Sequence, residues 1–83
     1  MPDPVVKVSD KTVVANSINK IYNTCRINIT QMFENIRNTL KNYTYSDGME
    51  LDDDIDYNYD ITTTGHYYTI NLTAKGQLSP KKR

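Results

Sequence analysis

Eighty-three residues carrying ten basic and ten acidic side chains make one small folding unit with no net charge, too short for a second core and without an overall field to hold a polyanion or a membrane surface. Apolar residues are only 37% and the mean hydropathy is −0.67, so the core must be thin, and no run approaches the roughly 20 apolar residues of a membrane-spanning helix. A lone Cys25 excludes an intrachain disulfide and a cysteine-built zinc site.

The start, Met1-Pro2-Asp3-Pro4, lacks the basic and apolar regions of a secretion signal, so the expected location is cytoplasmic, or the interior of a virion or host cell, and not secreted. Val5, Val6 and Val8 then form a short β-branched run that reads as a strand, and Ser9 or Asp10 supplies a helix cap directly after it. From Val14 onward, apolar side chains fall at Ile18, Ile21, Cys25, Ile29, Met32, Ile36, Leu40 and Tyr43. Their mean step is about 3.6 residues, the period of an amphipathic helix. Pro and Gly are absent throughout, which predicts a helix over Lys11–Tyr43. The stretch Arg26-Ile27-Asn28-Ile29-Thr30 is β-branched, and Asn28 with Gln31 resembles a capping pair, so the helix is read either as continuous or as broken near Asn28.

Thr44-Tyr45-Ser46-Asp47-Gly48 has the chemistry of a turn, and beyond it the period changes to two. Ile55, Tyr57, Tyr59 and Ile61 alternate with Asp54, Asp56, Asn58 and Asp60. After Thr62–His66, a second alternation sets Tyr68, Ile70 and Leu72 against Tyr67, Thr69, Asn71 and Thr73. That is a β-hairpin with one apolar face, on which Tyr57, Tyr59 and Tyr68 sit. Ala74-Lys75-Gly76 closes it and Gln77–Arg83 reads as a basic tail. The predicted fold is therefore α+β: residues 1–76 as one domain in the order β-α-β-β, with a long amphipathic helix on a two- or three-stranded antiparallel sheet, and 77–83 as the tail.

Such a helix would be about 50 Å long at about 1.5 Å per residue, whereas hairpin strands of this length reach only about 23 Å. Half of the apolar stripe would lack cover, and an exposed Leu-sized side chain forfeits about 1.5–3 kcal/mol. Association of copies, or docking on a larger protein assembly, follows as the expectation, with Ile29, Met32, Phe33, Ile36 and Leu40 as anchors.

Charge is sorted along the chain. Asp47 to Asp60 contains seven acids and no base, Lys11 to Tyr43 contains five bases against Glu34 alone, and the end carries Lys75, Lys81, Lys82 and Arg83. Asp52, Asp53, Asp54 and Asp56, together with Lys81, Lys82 and Arg83, are the candidate charged contacts. A calcium loop counted from Asp52 would need Gly at its sixth position and Glu at its twelfth, where Tyr57 and Thr63 stand, so no metal is assigned. His66 falls at a hairpin tip, Cys25 on the helix stripe, and Gly48, Gly65 and Gly76 are isolated, which leaves no catalytic constellation, phosphate loop or cofactor.

The expected function is a non-catalytic assembly or protein-interaction subunit, of the kind found among phage and viral structural or accessory proteins, with no membrane and no small-molecule substrate. Two alternatives differ in class. One is a small inhibitor that binds a host enzyme or defence complex through the acidic hairpin. The other is a nucleic-acid binder using the basic helix and tail.

Overall fold

The computed structural model describes residues 4–81. Its elements are strands β1 (Val5–Ser9) and β2 (Thr12–Tyr22), helix α1 (Ile29–Asn42), and strands β3 (Met49–Thr64) and β4 (Tyr67–Pro80). All pairings are antiparallel and the sheet order is β1-β2-β4-β3, with α1 packed on one face. The α+β class stands, but the helix has 14 residues and the sheet four strands.

The first half of the expected helix is strand β2. Thr12, Val13, Val14, Ile18 and Ile21 are β-branched, and Asn16, Ser17 and Asn19 are poor helix formers, so local preference favours an extended chain. Pairing on both sides then decides it. Ser9 sits opposite Thr12 across a two-residue reversal in which Asp10 adopts a left-handed φ of 49°. On its other edge β2 runs against β4 over its full length, from Thr12 opposite Gln77 to Tyr22 opposite Tyr67. Val13, Ala15, Ser17, Asn19 and Ile21 face α1, and Val14, Ile18, Lys20 and Tyr22 face away.

The break near Asn28 is where the helix begins. Asn28 Oδ1 accepts the Gln31 backbone N–H at 3.0 Å, and the helix stops where Tyr43 turns extended at ψ 140°. Within it, Ile29, Met32, Phe33, Ile36 and Leu40 hold one face apolar, and Tyr45 folds back to donate its hydroxyl to the Leu40 carbonyl at 2.6 Å. Met32, Ile36 and Leu40 are buried against Val13 and Ala15 of β2 and Ile70, Leu72, Ala74 and Leu78 of β4. Cys25, expected on a buried stripe, is exposed in the turn that leaves β2.

The β3–β4 hairpin is longer than its alternation suggested. Its reversal is only Gly65-His66, with Thr64 opposite Tyr67, and β4 continues through Gln77 to Pro80, so the expected tail is strand up to that residue. Lys82 and Arg83 lie outside the described residues. Between Leu51 opposite Leu78 and Ile55 opposite Gly76, β3 advances four residues while β4 advances two, so Asp52-Asp53-Asp54 forms a bulge. Leu51 and Ile55 remain on the core face because the bulge adds an even number of residues. Gly76 makes room for this: a Cβ there would stand 2.6 Å from Leu51 Cδ1.

The molecule measures 51 × 20 × 18 Å. Helix α1 is about 21 Å long at about 1.5 Å per residue, so it covers under half of the long axis. Among the described residues, no helix is long and apolar enough to cross a membrane.

Candidate functional site

The helix stripe proposed from sequence as a contact surface lies largely inside the chain's own core. Met32, Ile36 and Leu40 are buried against the sheet, Ile29 is half-buried, and Phe33 alone reaches toward the sheet rim. Its ring meets Tyr57 edge-on at 5.1 Å between centroids and Tyr59 at 5.9 Å. Both tyrosines lie on the outermost strand β3, at the limit of the helix's cover.

That placement leaves an apolar row partly open. Tyr57, Tyr59 and Ile61 share the helix-side face of β3 and remain 40%, 54% and 39% exposed. Beside the row runs the backbone edge of β3 that no other strand pairs among the described residues, where β4 is its only partner in the sheet. A rim of half-exposed aromatics along an open strand edge can be closed by another protein surface, with tyrosine supplying rigid contact area and a polar tip. The alternation of Tyr57 and Tyr59 put both on the inner face from sequence. Their exposure depends on β3 being the edge strand, which follows from the β2–β4 pairing.

The acidic residues divide into two groups. Asp52 is half-buried in the bulge and accepts the Ser79 hydroxyl at 2.5 Å, while Asp53 and Asp54 are exposed. Glu50, Asp52, Asp53 and Ser79 help to line a hollow of about 510 Å³ at this end of the hairpin. Asp56 and Asp60 project from the other face, where Asp56 stands opposite Lys75 and Asp60 opposite Asn71. Among the described residues no three His, Cys, Asp or Glu side chains group so as to hold a metal ion. Lys81 is exposed, and its backbone N–H donates to the Gly48 carbonyl at 2.7 Å.

The sheet face away from α1 sets Val5, Val14 and Ile18 among polar side chains, and it has two features that the sequence reading did not single out. Asn16 Nδ2 donates to Asn71 Oδ1 at 2.7 Å and lies 3.2 Å from Thr73 Oγ1, joining β2 to β4. At the far end Tyr22 stacks on Tyr67 with centroids 4.5 Å apart, and Lys20 Nζ sits 4.8 Å over the Tyr67 ring. The Tyr22 hydroxyl beside it, and secondarily burial, hold the Tyr67 phenol above the ordinary tyrosine value. The register of the two strands is the signal that would have paired these rings.

His66 is exposed at the hairpin reversal, where its carbonyl accepts the Asn23 N–H at 2.8 Å. Comparison with known proteins finds no match: no family model, no curated protein and no solved structure is similar to this chain.

Proposed function

We propose that the chain is a non-catalytic protein-interaction or assembly module whose contact surface is the β3 rim. The observation that carries this reading is the row Tyr57, Tyr59 and Ile61, about half exposed, backed by Phe33 and bordered by an unpaired strand edge. Tyrosines held by packing on a strand lose little freedom when they are covered, which suits them to anchor a contact. The acids of the bulge and of the opposite face keep indiscriminate strands from adding to the same edge.

A photoreactive amino acid at position 59 tests the assignment in an extract of the cells that make the protein. The expected outcome is a protein adduct from position 59 and none from position 69, which lies on the other face of the sheet. Absence of any protein adduct from position 59 refutes the reading.

The Lys20, Tyr22 and Tyr67 cluster favours a second reading, stacking of single-stranded nucleic acid on the open face. Asp56 and Asp60 share that face and repel phosphate, which places this reading second. Its test is affinity for oligonucleotides that falls steeply with salt and is lost in Tyr67→Ala.

A further inference from the structure

The free edge of β3 complements itself in one register. From this we propose that two copies of the chain pair antiparallel through β3, about a two-fold axis at Tyr59, to form one continuous sheet. The inference rests on the reading of the β3 rim as the contact surface and names its occupant.

Gly65, at φ 60°, is the first central residue of the Thr64–Tyr67 reversal. Such a turn is closed by a hydrogen bond between its flanking residues. Antiparallel ladders alternate hydrogen-bonded and non-hydrogen-bonded pairs. As far back as Ile55, therefore, even-numbered residues of β3 turn their backbone groups to β4 and odd-numbered ones turn theirs to the open edge. Tyr57, Tyr59 and Ile61 thus present side chains on the helix side and backbone donors and acceptors to a neighbour.

The regular part of this edge lies between the bulge, which ends at Asp54, and the reversal after Thr64, and of its edge-facing residues Ile55, Tyr57, Tyr59, Ile61 and Thr63 the central one is Tyr59. A second copy laid with Tyr59 opposite Tyr59 runs along all of it. In that register Tyr57 faces Ile61, Asp56 faces Thr62, Asp60 faces Asn58 and Asp54 faces Thr64. The apolar row then continues across the axis and no carboxylate stands directly opposite another.

Neighbouring registers lack this property. An axis at Asn58 sets Asp56 against Asp60, and one at Asp60 sets that carboxylate against its own copy. An axis at Ile61 leaves Tyr57 facing Gly65. Directly opposed like charges destabilise strand pairing, and an odd slip turns the rows to opposite faces. In the Tyr59 register, Asp60 still meets Asp56 and Asp60 of the other copy diagonally, at about 7–8 Å, a distance that physiological salt screens. Self-association should therefore tighten with salt, opposite in sign to nucleic-acid binding.

Sedimentation velocity across the micromolar range, at low and high salt, is expected to give a monomer–dimer equilibrium shifted to dimer by salt. Tyr59→Lys places two cations across the axis and should weaken the dimer about tenfold or more, Tyr59→Glu should do the same, and an equimolar mixture should restore it. Circular dichroism of each variant checks that the fold is retained. In a Cys25→Ser background, Tyr57→Cys and Ile61→Cys should form a disulfide when oxidised as a mixture and neither should alone. A wild-type monomer throughout, a dimer indifferent to Tyr59→Lys, or a disulfide from Tyr57→Cys alone overturns the proposal. A monomer whose position 59 still forms an adduct with a different protein overturns self-pairing alone, whereas loss of all protein adducts overturns the contact-surface reading beneath it.

Discussion

Asn19 offers the sharpest test of how the core is built. It points inward from β2 opposite Ile70 and is only 3% exposed, yet its amide makes a single hydrogen bond, from Nδ2 to Ser17 Oγ at 3.0 Å. Oδ1 is buried with no partner. Rotating the amide by half a turn moves the orphan to Nδ2 and leaves the deficit unchanged. A buried unpaired polar group costs about 1–3 kcal/mol, and the bond to Ser17 returns about 1 kcal/mol. Asn19→Val together with Ser17→Ala removes both partners, so no buried hydroxyl is left unpaired, and puts a residue of higher strand preference at position 19, a gain of up to about 1 kcal/mol. The expected net effect is a stabilisation of about 1–2 kcal/mol, which for a domain of this size raises Tm by about 5–10 °C. Urea unfolding followed by circular dichroism should show a higher midpoint at an unchanged slope. Asn19→Val alone should gain less, because it leaves the buried Ser17 hydroxyl unpaired, and adding Ser17→Ala to it should stabilise further. A loss of about 1 kcal/mol or more in the double variant would refute the reasoning, because Oδ1 would then have to be satisfied in solution.

Three further outcomes follow from single contacts. Gly76→Ala should destabilise by about 1–3 kcal/mol because its Cβ would meet Leu51 Cδ1 at 2.6 Å, and Leu51→Ala in the same chain should remove most of the additional penalty in chemical denaturation. Asn28→Ala should cost about 0.5–2 kcal/mol by freeing the Gln31 N–H, with hydrogen exchange accelerated in the first turn of α1 more than in its last. Tyr45 has its phenol raised above the usual tyrosine value by burial and by the neighbouring Tyr43, and its hydroxyl donates to the Leu40 carbonyl. Because the folded value is the higher one, this contribution to stability is complete below the unfolded value and is lost as pH rises through the folded value. Ultraviolet titration should show two late-ionising tyrosines, Tyr45 and Tyr67, of which Tyr45→Phe removes one, and an undiminished late phase in Tyr45→Phe would reassign the shift.

The parts of the fold that could be read from the chain are those in which one face stays apolar and the other polar. The β3–β4 hairpin is legible because acids, asparagine and threonine fill the outward positions while Tyr57, Tyr59, Ile61, Ile70 and Leu72 fill the inward ones. Helix α1 is legible because Ile29 to Leu40 keep a single stripe. Strand β2 defeats both patterns. Its inward row includes Ser17 and Asn19, and its outward row includes Val14 and Ile18. Apolar residues drawn from both of its faces, Val14 and Ile18 from the outer and Ile21 from the inner, fall at steps of four and three and imitate a helical turn. Only the pairing with β4, 45 to 65 residues away, resolves the ambiguity, and local spacing cannot carry that information. Moving these residues from helix to sheet also relocates the uncovered apolar surface. A 14-residue helix finds full cover on β2 and β4, so Met32, Ile36 and Leu40 need nothing further. The shortage of cover passes to the sheet, whose outer strand lies beyond the helix's reach. An argument from exposed apolar area therefore still points to a contact, but to one made by Tyr57, Tyr59 and Ile61, with Phe33 as the single stripe residue that belongs to both surfaces.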